Sequence, residues 1–102
     1  MFEWDEAKRQ ANLAKHGIDF LDVLDLLLHP ERVEVADTRR DYGEPRRVTL
    51  APFQGRLLHL SWTWRGANRR LISVRKANLR EQNRYARIRQ HLRADQPGDP
   101  GR

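Results

Sequence analysis

The stretch from Asn68 to Arg93, NRRLISVRKANLREQNRYARIRQHLR, decides the fold because its hydrophobic period changes midway. In its first third the residues alternate, with Ile72 and Val74 on one face, which predicts a strand. After Ala77 the apolar residues recur at helical spacing. They form one stripe: Leu79, Tyr85, Ala86, Ile88 and Leu92. We therefore expect a last core strand followed directly by a helix.

The start of this predicted helix carries a capping pattern. Asn78 is a good N-cap and Glu81 follows three residues later, so each side chain can bind the backbone NH of the other residue. Between Arg65 and Arg93 the chain has ten lysines or arginines and one acid, Glu81. Such an excess of positive charge requires an anionic partner or a solvated surface.

The chain of 102 residues is long enough for one domain with a modest core. It has no cysteine, which excludes disulfide scaffolds, thiolate zinc sites and cysteine nucleophiles. No apolar run approaches the roughly 18 residues that span a bilayer, and the N-terminus lacks the order of a signal peptide. We therefore expect a cytoplasmic protein that does not contact a membrane.

The charge balance points to nucleic acid. The net charge is +6, and only Lys8, Lys15 and Lys76 among the 20 basic residues are lysines. Clustered cations gain affinity for nucleic acid by releasing counterions from phosphates, and guanidinium groups also make forked phosphate contacts and stack on bases. A solvated basic surface on an unrelated protein is the alternative interpretation.

Two helices are expected near the N-terminus, after a short edge strand over residues 2–4. Residues 5–16 are good helix formers, Asp5 is a cap, and Gly17 suits the left-handed position that ends a helix. Asp19 caps the second predicted helix. Its apolar residues fall at i, i+3, i+4, i+7 and i+8: Phe20, Val23, Leu24, Leu27 and Leu28.

From residue 33 onward the alternation predicts an antiparallel sheet of about four strands. Apolar members are expected to share one buried face: Val48, Leu50, Leu58, Leu60, Trp62, Ile72 and Val74. The opposite face is expected to expose polar side chains: Arg47, Thr49, His59, Ser61, Thr63, Ser73 and Arg75. The fold class is thus α+β, with a single domain in residues 1–93 and a disordered tail in residues 94–102.

The sequence has no metal-ligand set, no phosphate-binding glycine loop and no glycine-flanked serine nucleophile, so we expect neither a metal nor a cofactor. RNA cleavage does not require them, because the 2′-hydroxyl is the nucleophile. One group must take its proton, another must protonate the leaving 5′-oxygen, and cations must stabilise the phosphate. Arginine, lysine, histidine and tyrosine can supply all three.

Each candidate residue also has a plain structural explanation. Lys15 and His16 could be the cationic last turn of a helix, which the helix dipole favours. Arg75 could pair with Glu81 or with Glu44. Tyr85 could be a core aromatic whose hydroxyl has a local partner.

An ordered set of sequence blocks resembles the BrnT family of type II toxins. The blocks are residues 12–20 (NLAKHGIDF), Asp37, residues 44–47 (EPRR), residues 70–77 (RLISVRKA), Glu81 and Tyr85, and they extend over about residues 2–90. The order and spacing of the blocks together carry the resemblance, not any single block. Val74 departs from the alanine that is usual in the family, which is a change on a buried face.

The resemblance implies a RelE-like domain that cleaves RNA without a metal and is neutralised by a BrnA-type antitoxin. We expect a heterotetramer built on an antitoxin dimer. The residues that we assign to catalysis are Lys15, His16, Arg75 and Tyr85. Those that we assign to RNA binding are Arg47, His59, Arg70, Arg84 and Arg87, and His59 competes with His16 for proton transfer. The alternative is a non-catalytic nucleic-acid-binding protein that uses the basic C-terminal helix.

Overall fold

A mixed five-stranded sheet forms the centre of the protein. The structure is a computed structural model that describes residues 1–94, with side chains to residue 92. In chain order the main elements are β1 (Phe2–Trp4), α1 (Glu6–His16), β2 (Val33–Ala36), β3 (Arg47–Phe53), β4 (Arg56–Arg65), β5 (Asn68–Lys76) and α2 (Leu79–Ala94). The strand order is β1-β5-β4-β3-β2. The predicted tail lies, from residue 95 on, outside the described residues.

The α+β class is confirmed, but the prediction of an antiparallel sheet of about four strands is wrong. The predicted edge strand β1 joins the sheet as a fifth strand and pairs in parallel with β5, from Phe2 opposite Arg69 to Trp4 opposite Leu71. The other three strand pairs are antiparallel. Since α1 and three further strands separate β1 from β5 in the chain, no hairpin fixes the direction of β1.

Helix α1 has the predicted caps. The Asp5 side chain accepts the backbone NH of Lys8, and Gly17 has φ of 70° and donates to the carbonyl of Leu13. The buried Asn12 side chain ties this helix to the sheet. Its Oδ1 accepts the Val74 NH at 3.0 Å and its Nδ2 donates to the Ile18 carbonyl at 3.2 Å.

The second predicted α-helix is wrong, because this segment forms two 3-10 helices, Phe20–Asp22 and Leu24–Leu28. A 3-10 helix has about three residues per turn, so Phe20, Val23 and Leu26 fall on one side. These three residues are buried, whereas Leu28 of the predicted stripe is 47% exposed. Within residues 1–94 no helix is long and apolar enough to cross a membrane.

The predicted division of the sheet into an apolar and a polar face is also wrong. Strands β3 and β4 are joined by a two-residue turn, Gln54 and Gly55, both with positive φ. This turn sets His59 opposite Leu50, so the two side chains share a face. Leu60, which was expected beside Leu50, lies on the other face in the main core.

A bulge in β5 changes the faces again. Ser73 pairs with Ser61 and Leu71 pairs with Trp62, which leaves Ile72 as the extra residue. Leu71 and Val74 therefore both belong to the main core, whereas Ile72 is only half-buried.

Two hydrophobic clusters lie on opposite faces of the sheet. The main cluster packs the sheet against the segment after α1, and its largest members are Phe20, Leu27, Leu58, Leu60, Trp62 and Leu71. The smaller cluster contains Val48, Leu50 and Ala77, with Tyr85 of α2 packed against it. Helix α2 thus covers part of the face that was expected to be an open polar surface, and the polar residues of that face are buried: His59, Ser61 and Thr63.

Candidate active site

The candidate site lies where α2 begins above β4 and β5. His59 of β4 is directly opposite Arg75 of β5, and both side chains point to the face that α2 covers. The chain leaves β5 at Lys76, and Glu81 of the first turn of α2 returns over the same pair. The short connection between strand and helix therefore brings these three side chains together.

Glu81 is the centre of this cluster. Its two carboxylate oxygens accept hydrogen bonds from Nη1 and Nη2 of Arg75 at 2.8 and 2.9 Å. It also accepts the Asn78 NH at 2.9 Å, while Asn78 Oδ1 accepts the Glu81 NH at 2.8 Å. The predicted capping box is confirmed, and of the two glutamates considered as partners of Arg75, Glu81 is the one that binds it.

His59 is buried beside this ion pair, with 3% of its surface exposed. Its Nε2 lies 3.5 Å from a carboxylate oxygen of Glu81, and its Nδ1 is buried without a hydrogen-bond partner within residues 1–94. Burial and the charge of Arg75 lower the pKa of His59, although Glu81 acts in the opposite direction. The imidazole is therefore neutral at neutral pH.

The pKa of Glu81 is shifted in the direction that keeps it ionised. Burial opposes its charge, but the hydrogen bonds from Arg75 and from the Asn78 backbone outweigh burial and lower the pKa. A neutral imidazole thus stands next to a carboxylate and a guanidinium that both carry their full charge.

A cavity of about 100 Å³ opens beside this cluster. His59, Glu81 and Arg84 line it together with the start of the loop after β2, including Asp37 and Arg39. Arg39 binds the Asp37 carboxylate at 2.9 Å through two nitrogens and holds the pKa of that carboxyl well below its usual range. Two arginines, Arg39 and Arg84, and two carboxylates, Asp37 and Glu81, thus line the cavity, and Arg75 lies beside it in its ion pair with Glu81.

The other predicted catalytic residues lie apart from this cavity. Lys15 and His16 are exposed at the end of α1, and no hydrogen bond or ion pair within residues 1–94 holds either side chain. The next residue, Gly17, lines a different groove with Gln54 and Arg56. Tyr85 packs against the smaller cluster, and its hydroxyl donates to the Glu31 carbonyl at 2.8 Å.

The predicted RNA-binding arginines are divided among several surfaces. Arg84 and Arg87 are exposed on α2, and Arg84 lines the cavity of His59. Arg47 lies 4.0 Å from Glu34 in a groove that does not include His59. Arg70 binds Glu3 of β1 at 2.6 Å. Of the predicted residues, the structure thus brings His59, Arg75 and Arg84 together.

Asp37, Arg39 and Glu81 were not among the predicted site residues. Asp37 and Glu81 are part of the family-like set of blocks, so a detectable pattern was present for those two. Arg39 stands in a polar turn region, and no periodicity links it to His59. Within residues 1–94 no group of three histidine, aspartate or glutamate side chains is arranged to hold a metal ion.

Comparison with known protein families gives a match over most of the chain. The model of the family described as "Ribonuclease toxin, BrnT, of type II toxin-antitoxin system" matches residues 4–81, well over half of the chain. The matched segment includes every residue of the cluster except Arg84. No curated protein matches the chain.

Proposed function

Since the chain belongs to the BrnT family of ribonuclease toxins of type II toxin–antitoxin systems, we propose that it is an endoribonuclease that cleaves RNA without a metal ion. The observation that carries this proposal is the buried His59 beside the Arg75–Glu81 ion pair, at a cavity that Arg39 and Arg84 also line. In the proposed reaction the 2′-oxygen bonds to phosphorus, the bond to the 5′-oxygen breaks, and the products are a 2′,3′-cyclic phosphate and a 5′-hydroxyl.

His59 is proposed to take the proton of the 2′-hydroxyl. A general base must be unprotonated at the working pH, and the lowered pKa of His59 keeps it so. The adjacent Glu81 carboxylate lies 3.5 Å from Nε2 and stabilises the imidazolium that forms when the proton arrives. This stabilisation explains why a carboxylate lies beside a histidine that is neutral before the reaction.

Arg75 is proposed to stabilise the phosphate as negative charge develops on it. Its guanidinium is oriented by two bonds to Glu81, and its side chain is 29% exposed, so part of it remains accessible to an anion. A guanidinium matches two phosphate oxygens at once. Arg84 at the rim of the cavity is proposed to bind a neighbouring phosphate.

Lys15 and His16 are proposed as further contacts to the RNA, on the basis of the family resemblance and their exposure. His16 was the first choice for proton transfer, but it lies apart from the cavity of His59, so it is proposed as an RNA contact only. A water molecule is proposed to protonate the leaving 5′-oxygen. Arg47, Arg70 and Arg87 are proposed to bind phosphates of the flanking strand, with Arg47 and Arg70 first released from their glutamates.

The antitoxin is proposed to be of the BrnA type and to form a heterotetramer through its own dimer. Helix α2 supports this docking surface, because Arg80, Arg84 and Arg87 are exposed on it and attract an acidic partner. Arg89 of the same helix is not part of this exposed set, since its side chain is 18% exposed and lies 3.8 Å from Glu31.

Purified protein incubated with a single-stranded RNA in EDTA tests the proposed reaction. We expect cleavage that is unchanged by the chelator, with cyclic phosphate ends, and Arg75→Gln should lower the rate far more than the RNA affinity. Arg56→Gln, an exposed arginine outside the cavity, is the control. Loss of cleavage in EDTA would contradict the metal-independent reaction, and an equal fall in rate and affinity for Arg75→Gln would make it a docking residue.

A further inference from the structure

We infer that the groove beside Trp64 binds a base of single-stranded RNA by stacking. This inference rests on the proposed ribonuclease function, because it assigns a second contact to the same substrate. Trp64 is 49% exposed near the end of β4, where a large apolar ring has no evident role in the core. The ring contact, the neighbouring arginine and the groove beside Trp64 indicate which ligand it binds.

The ring of Trp62 holds the ring of Trp64 in place. Trp64 meets Trp62 edge to face, with the ring centroids 5.2 Å apart and the planes at 79°. Trp62 is fully buried, and its Nε1 donates to Thr49 Oγ1 at 2.8 Å. Because a hydrogen-bonded core residue supports Trp64, the exposed part of its ring is a preformed surface and loses little entropy when a ligand stacks on it.

Arg69 adds a positive charge to this platform. It is opposite Trp64 in the sheet, and its guanidinium carbon lies 4.5 Å from the ring centroid of Trp64 and 5.3 Å from that of Trp62. Its Nε is buried and has no hydrogen-bond partner within residues 1–94, and no carboxylate there forms an ion pair with it. A stacked guanidinium without an acidic partner is suited to bind an anion.

The groove beside the ring has a volume of about 450 Å³, which is within the usual range for small-ligand sites. Its walls include Pro45, Arg46, Arg47, Trp62, Thr63 and Trp64. Four arginines lie in or near the groove: Arg46, Arg47, Arg65 and Arg69. Two glutamates, Glu34 and Glu44, oppose their charge. The excess of positive charge complements the backbone phosphates of a nucleic acid.

Single-stranded RNA is the ligand that uses both features at once. Unpaired bases stack on exposed aromatic rings, whereas the bases of a duplex already stack on each other. His59 and Trp64 are five residues apart in β4, so their side chains lie on opposite faces of the sheet and roughly 17 Å apart along the strand. The stacked base therefore lies several nucleotides from the phosphate at His59. A contact so far from the reacting atoms changes substrate binding and leaves the chemical step unaltered.

Three variants of the full chain test this contact: Trp64→Ala, Trp64→Phe and, as a control, Leu28→Ala. Leu28 is 47% exposed, which matches Trp64, but it lies in a 3-10 helix outside the groove. The probe is a 12-nucleotide RNA with 2′-O-methyl groups, which cannot be cleaved. We expect Trp64→Ala to bind it about tenfold more weakly, and we expect the Phe variant and the Leu28 control to bind as the parent does.

Two further measurements separate stacking from charge. Trp64→Ala should leave the salt dependence of binding unchanged, whereas Arg69→Gln should reduce its slope by about one. With a cleavable RNA of the same length, Trp64→Ala should raise KM and leave kcat unchanged. Thermal unfolding of each variant shows that the compared proteins are folded.

The outcomes distinguish this inference from the proposed function. Equal affinity of the parent and Trp64→Ala would overturn the inference, while RNA cleavage by both would leave the ribonuclease function standing. Trp64-dependent binding without any cleavage would support the inference and contradict the function. Unchanged RNA binding with loss of antitoxin binding would make the platform a protein interface and overturn the inference as well.

Discussion

Replacing Glu81 with Gln tests the ion pair on which the candidate site is built. The substitution keeps the size of the side chain and removes the charge that Arg75 and His59 face. Each of the two hydrogen bonds from Arg75 involves charged groups, for which contributions of about 1.5–3 kcal/mol are typical. The amide retains one acceptor, and the pair is partly screened, since Arg75 is 29% and Glu81 18% exposed. We therefore expect the free energy of unfolding to fall by about 2 kcal/mol.

Thermal unfolding measures this loss. For a domain of this size, 2 kcal/mol corresponds to a fall in Tm of roughly 8–16 °C. Glu31→Gln is the matched control, because Glu31 lies 3.8 Å from Arg89 and is 54% exposed. An exposed pair of this kind contributes less than about 1 kcal/mol. A double-mutant cycle between Glu81→Gln and Arg75→Gln should give a coupling energy near 2 kcal/mol.

Glu81→Gln should also change RNA affinity, and in the direction opposite to its effect on stability. Without the carboxylate, the charge of Arg75 is no longer neutralised, so we expect Glu81→Gln to bind non-cleavable RNA more tightly while it becomes less stable. Additive effects in the cycle, within about 0.5 kcal/mol, together with unchanged RNA affinity, would refute the assignment of Glu81 as the partner of Arg75.

The remaining predictions concern stability, pH and charge. Asn12→Ala leaves two buried backbone groups unpaired, so it should lower the free energy of unfolding in urea by about 2–4 kcal/mol. Cleavage per folded molecule should be unchanged. Unchanged stability would contradict the role of Asn12 in holding α1 against the sheet. Because the pKa of His59 is lowered in the folded state, the unfolded chain takes up this proton first as pH falls below about 6.5, and stability declines there. His59→Gln should flatten that decline, and an unchanged slope would contradict it. Arg84→Glu combined with Arg87→Glu should weaken both RNA and antitoxin binding, each with a shallower salt dependence; unchanged values for both would make these arginines a solvated surface only.

Local chemistry made part of the fold predictable. The start and end of α1 follow from Asp5 and Gly17, and the start of α2 follows from Asn78 and Glu81, because a cap is specified by residues within one turn. The order of strands β2 to β5 likewise follows from alternation in short segments.

The pairing of strands was not predictable in the same way. The face on which His59 lies depends on whether the β3–β4 turn has two residues, and Gln54 at φ 51° is an unusual residue for that conformation. The bulge at Ile72 shifts the faces of β5 once more. A shift of one residue exchanges the two faces of a strand, so His59 was expected on an exposed surface and is buried beside Glu81 instead.

The most direct test of the account is the cleavage of a short RNA by His59→Gln under single-turnover conditions, with His29→Gln as the control. His29 is a half-buried histidine outside the cavity, and its Nδ1 accepts only a local backbone NH. We expect His59→Gln to cleave at least about 100-fold more slowly than the parent and to bind non-cleavable RNA as the parent does. It should also lack the loss of activity that the parent shows as pH falls through the lowered pKa of His59. Cleavage by His59→Gln at the parental rate, with the same dependence on pH, would contradict it.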